Sequence, residues 1–236
     1  MQANLIAGIG LTHLTVFDQR PAPDGIHSGC AHVHAVTDEA YYVISGTGAI
    51  ELHDLEHGFR SVPLGPGDCV QFAPGTVHRS ITHDRLKVLA VMGNAGLAER
   101  GDARIWFGPE ADGDPALYEG LRGLVEKGLE GALERRDHSV RAYQLLMRLW
   151  NEDRTAYRTE LARFIDVHAR AMAPLREKFQ TVVAQGPAQW LASALARIDR
   201  LPVRTGRVEA TAIKSEPGEK LGMCGLLRPL EIPSAV

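Results

Sequence analysis

The chain has 236 residues, 44% of them apolar and 23% charged, a globular composition long enough to bury a core without disulfide or metal staples. Its 26 Lys and Arg against 29 Asp and Glu leave a formal charge of −3, which gives no electrostatic case for nucleic acid or an anionic membrane as partner. No apolar stretch approaches the ~20 residues of a membrane span, the first residues lack the basic and apolar regions of a signal peptide, and the three scattered cysteines argue against a disulfide framework, so a cytoplasmic location is expected.

From Leu11 to Met92 the pattern has period two. The segments LTHLTVF, CAHVHAV, AYYVI, GAIELH, DCVQF and LKVLAVM read as short strands, separated by the turn-forming runs RPAPDG, SGTG, LGPGD and APGT. Strands this short and evenly spaced predict an antiparallel sandwich or barrel over residues 1–93. Residues 94–113 read as a connector, anchored by Ile105, Trp106 and Phe107. At Asp114-Pro115 a capping carboxylate and a first-turn proline open a helical region, expected over 114–200. Tyr143, Met147 and Trp150 mark one helix face; Tyr157, Leu161, Phe164, His168, Met172, Leu175, Phe179 and Val182 mark another. Pro174 should kink or split that longer helix, and Gly186-Pro187 should end it and start a last one. The tail, 201–236, offers one candidate strand at 207–215. Apolar helix faces of this kind must pack on each other, on the barrel or on a second subunit, so the helices are expected to be integral to the protein, capping the barrel mouth or building a dimer interface.

Histidine marks where the chemistry lies. Eight of the ten precede residue 109, and that first part carries a charge of −4. His32 and His34, two apart on a strand, project from one face. Glu39 opens the next strand, and His78 follows a strand that ends in Ala73-Pro74-Gly75-Thr76. Three imidazoles and a carboxylate gathered inside a barrel suit a first-row divalent metal and leave one or two coordination positions open. Other residues are read by strand parity. Tyr41 shares parity with Glu39, as a substrate contact or as barrel packing; Cys30 shares parity with His32 and His34, as a lining residue of the same cavity or as a small buried hydrophobe. Gln71, on the strand leading to His78, is a candidate to support a ligand from behind. Arg79 has the opposite parity to His78 and is assigned to the surface. His13, His27, His53, His57 and His83 are assigned exposed or structural roles, and His168 a satisfied place in the helical core.

The spacings His32-x-His34-x4-Glu39-x6-Gly46 and Gly75-x2-His78 resemble the two motifs of the cupin superfamily, and the 20 residues between Gly46 and Gly67 fit its short inter-motif spacing. The resemblance covers about residues 11–93. Ile26 stands where the family's leading glycine would fall, Pro74 directly precedes Gly75, and Thr82 occupies a terminal asparagine position; none of these removes a ligand. The resemblance implies an antiparallel β-barrel of the double-stranded β-helix or jelly-roll kind, with one divalent metal on His32, His34, Glu39 and His78, and a homodimer as the default assembly. Fe(II) is the favoured ion, with Zn, Mn, Ni or Cu open. Three functions are carried: a non-heme Fe(II) oxygenase (a dioxygenase) acting on a small anionic or chelating substrate; a redox-neutral isomerase, lyase or hydrolase; and a non-catalytic binding or sensing module.

Overall fold

The computed structural model describes residues 5–201, 215 and 218–230. In chain order the elements are β1 (Gly10–Val16), β2 (His32–His34), β3 (Glu39–Asp54), β4 (Gly58–Leu64), β5 (Cys69–Phe72), β6 (Val77–Met92), β7 (Ala103–Ile105), α1 (Pro109–Gly113), α2 (Pro115–Arg122), α3 (Leu129–Glu152), α4 (Arg154–Met172), α5 (Arg176–Gln185), α6 (Pro187–Ile198), β8 (Lys220–Leu221) and β9 (Gly225–Pro229).

The nine described strands form one antiparallel sheet in the order β4-β3-β6-β1-β9-β8, with β5 joined to β3 and with β2 joined to both β6 and β7. β3 and β6 are 16 residues each, and β3 shifts register between Val43 and Gly48. Tyr41 and Val43 from the first half of β3 meet Ile50 and Leu52 from its second half in one buried cluster, together with Leu14, Leu64, Leu86 and Val88. The sheet therefore curls around a single apolar core. Gly46 sits at the bend: its φ is +77°, and a Cβ there would lie 2.2 Å from the Asp84 carbonyl oxygen, so both backbone conformation and space require glycine.

The helices begin where local chemistry predicts. Asp114 accepts from the Ala116 and Leu117 amides, and Asp153 caps α4 through Thr155 and Ala156. Pro174 falls in a 3-10 turn, Ala173–Leu175, that splits the long apolar stripe into α4 and α5, and Gly186 separates α5 from α6. Tyr143 and Leu146 of α3, with Tyr157, Leu161 and Phe164 of α4, bury against Ala31, Val33, Val77 and Trp106. α3 and α4 thus pack on the outer wall of the barrel behind β2 and the start of β6. No described helix is long and apolar enough to cross a membrane.

That wall changes three readings. Arg79 is buried, not on the surface: its guanidinium donates to Ser28 Oγ, pairs with Asp24 at 2.7 Å and lies over the Tyr143 ring. Residues 94–113 are more than a connector, since β7 pairs with β2 and Pro109 already opens α1. The tail supplies β9, which pairs with β1; the strand expected at 207–215 lies, Ser215 apart, outside the described residues.

Candidate metal centre

β2 presents His32 and His34 to the barrel interior, while Val33 between them faces the helices. β6 pairs His78 with His32, and Glu39 is the first residue of β3, opposite both Phe72 and Met92. All four side chains are buried, and each offers a ligand atom such that these atoms lie within 4.8 Å of one another. Glu39 Oε2 stands 3.2 Å from His78 Nε2 and 3.6 Å from His34 Nε2.

The imidazoles are held from behind at Nδ1. His32 Nδ1 lies 3.1 Å from the Cys30 carbonyl oxygen, His78 Nδ1 3.2 Å from that of Thr76, and His34 Nδ1 3.3 Å from Asp102 Oδ2. An N–H at each Nδ1 donates outward and leaves the Nε2 lone pair for the cluster, the arrangement that orients metal-binding histidines. Inside, Glu39 Oε2 and His78 Nε2 are buried without a hydrogen-bond partner. Two buried acceptors facing each other are costly unless a cation lies between them. The donor set and these orphaned atoms fit one divalent ion.

Burial, with the neighbouring His78 and His34, lowers the pKa of His32 well below the usual imidazole range. Burial also acts to lower that of His34, but the bond to Asp102 and the charge of Glu39 outweigh it and raise the pKa. Glu39 is lowered, because His78 and His34 overcome its burial. Asp102 is lowered to about 2: burial works against ionisation, and hydrogen bonds from His34, Thr37 and Val36 prevail.

Asp102 is the residue the sequence reading missed. It accepts from the amides of Ala35, Val36 and Thr37, so one carboxylate both orients a ligand and shapes the turn between β2 and β3. Its own carbonyl accepts from His168 Nε2, which gives that helical histidine its buried partner. Nothing local marks Asp102, which acts on a residue 68 positions earlier. Cys224 was also missed. Its Sγ lies 3.9 Å from both ring nitrogens of His32 and 3.7 Å from Tyr41 Oη, and Tyr41 Oη accepts from Ser80 Oγ at 3.4 Å. Burial first, then Cys224 and Glu39, pushes the Tyr41 phenol well above its ordinary pKa, and burial pushes Cys224 up to about 12. Gly29 permits this approach, since a Cβ there would sit 2.5 Å from Cys224 Cα.

Tyr41 thus faces the interior beside the cluster. The Cys30 side chain packs with Ile105, Phe107 and Tyr118, and only its carbonyl serves His32; β2 begins at His32, so strand parity does not reach back to Cys30. Gln71 is exposed and does not support a ligand. Strand alternation instead turns Phe72 inward, its ring centroid 4.5 Å from that of His78.

Residues 19–92 match the family described as Cupin domain. No curated protein matches the chain. Among solved structures it is similar to a cupin protein from Bacteroides fragilis, at 21% identity over 37% of this chain and 65% of that one, with a TM-score of 0.26. It is also similar to an oxalate decarboxylase variant from Bacillus subtilis, at 18% identity over 39% and 23% of the two chains, TM-score 0.32. The coconut allergen cocosin gives 12% identity over 36% and 21%, TM-score 0.30. The chain covers less than two thirds of the length of each of these proteins.

Proposed function

With a cupin domain at residues 19–92 and a helical region behind it, we propose that the protein is a metal-dependent enzyme acting on a small molecule, with one divalent ion on His32, His34, Glu39 and His78. The observation that carries this reading is the pair of buried, unpartnered atoms Glu39 Oε2 and His78 Nε2. When bound, the ion supplies a Lewis acid with one or two open positions and, as Fe(II), electrons for dioxygen.

The chain's own residues set the rest. Three neutral imidazoles and one carboxylate leave a divalent ion one net positive charge, which favours an anionic or chelating substrate. Phe72, from the apolar core, packs its ring on His78. Tyr41, protonated at any working pH, offers its O–H as a hydrogen-bond donor beside Glu39, steadied by Ser80 and Cys224. Oxygenase chemistry at Fe(II) is our first reading. The proton-bearing trio of Tyr41, Ser80 and Cys224 favours, as a second, a redox-neutral isomerase, lyase or hydrolase.

Protein purified without a His tag is expected to carry stoichiometric metal, and with Fe(II) to consume dioxygen on a panel of small organic acids. Activity that persists anaerobically with Zn moves the assignment to the redox-neutral reading. Protein that stays empty after incubation with Fe, Mn, Ni, Cu and Zn ends the metal reading altogether.

A further inference from the structure

The cluster lies at one end of the barrel. His34 is the last residue of β2, Glu39 the first of β3, Phe72 the last of β5 and Met92 the last of β6. The ladder places Phe72, Glu39, Met92 and Gly10 in one row across four strands. Further into the barrel the interior is filled by Val16, Val43, Leu64, Leu86 and Val88. A molecule reaching the four ligands, all of them buried, must therefore come from the end where this row lies.

At that end the structure holds a cavity of about 1020 Å³ that the four ligands do not line. Its inner side is formed by Gly10, Thr37 and Met92, and its far side by α5, with Lys178 and Thr181. Met92 stands directly opposite Glu39 in the ladder. Thr37, two residues before Glu39, is 2% exposed and lines the same side, with its amide donating to Asp102 Oδ2. Two cations, Arg100 and Lys178, and one carboxylate, Glu99, line it as well. Arg100 spends Nη1 on the Gly96 carbonyl.

We propose that this cavity between the barrel end and α5 binds the body of an organic anion and is its approach to the ligand cluster, with Lys178 and Arg100 drawing the anion in and Met92 forming the threshold before Glu39. The inference rests on the metal reading and deepens it: the substrate is an anion too large for the cluster itself, and the helical region, outside the cupin domain, provides one wall of its site. The cavity volume sits at the upper end of the roughly 300–1,000 Å³ common for small-molecule sites.

The test uses the full chain loaded with Co(II), whose visible absorption reports ligand arrival in stopped flow, with azide as a small anion and imidazole, in mildly alkaline buffer, as a neutral ligand. Lys178→Glu is expected to slow azide by about tenfold and to leave imidazole unchanged, because it reverses the charge of the approach. Thr181→Trp, at an exposed site on α5, is expected to slow both by a similar factor, because an indole obstructs the cavity. Leu191→Trp, on the exposed face of α6 outside the cavity, is the control and should change neither. Wild-type rates in both cavity variants, with Co(II) fully bound, overturn the approach while leaving the metal reading intact. A chain that takes up no Co(II) overturns the metal reading itself, and this inference with it.

Discussion

At the scale of single residues, the most informative group is a carboxylate that would not touch the ion. Asp102 holds His34 at Nδ1 and three backbone amides at once. Asp102→Asn keeps the shape but removes the charge and can present an N–H to the ring, so metal affinity should fall by about 10–100-fold, read by chelator competition, with the fold retained. Glu39→Gln should weaken binding directly, and His32→Ala, His34→Ala or His78→Ala should abolish it; full metal content in any of these three alanine variants contradicts the assignment. His53 tests a different balance. Tyr143 donates to Glu51, so its oxygen accepts from His53 Nε2–H, while Tyr157 donates to His53 Nδ1. Burial pushes this imidazole down from 6.5 to about 3. Between those values the unfolded chain binds a proton that the folded chain refuses, so the stability is fully present above about pH 6.5 and is lost as acid approaches pH 3. The effect is on the order of a few kcal/mol, and His53→Gln should flatten the fall of melting temperature across that window.

At the scale of elements, α3 and α4 serve as the outer wall of the strand that carries two ligands. Val33 packs among the helix residues while its neighbours His32 and His34 face inward, so β2 is gripped from both sides. Phe164 is fully buried, with its ring 4.6 Å from that of Trp106. Phe164→Ala should cost about 3–5 kcal/mol, measured by urea unfolding, because the cavity it leaves lies between rigid elements. A loss below one such side chain's transfer energy would show that α4 rests loosely on the barrel. β9 has a comparable role on the opposite side, since its pairing with β1 positions the segment that delivers Cys224 to His32.

At the scale of the whole molecule, barrel and helices share buried surface rather than a tether. Truncation after Gly113 would remove α2–α6 together with β8 and β9, and would expose Val33, Val77 and Trp106 to water. The truncated chain is expected to aggregate and to lose metal, followed by light scattering and metal content; a soluble, loaded barrel would show the helices to be an independent appendage. A homodimer in solution is our proposal for the assembly, and sedimentation of the full chain decides it: a monomer at working concentration retires it.

The sequence by itself determined the periodic and the local. Alternation over 11–92, the cap at Asp114, the break at Pro174 and the spacing of His32, His34, Glu39 and His78 all express short-range rules, since a strand's period of two and a helix's need for capped amides act within a few residues. Parity placed Tyr41 inside and failed for Cys30 and Gln71, because a register depends on where a strand begins, and pairing partners decide that. Only the tertiary structure brought Asp102 to His34 and Cys224 to His32, across 68 and 192 residues. It also buried Arg79: alternation says which face a side chain takes, whereas what covers that face comes from helices whose sequence carries no address for it.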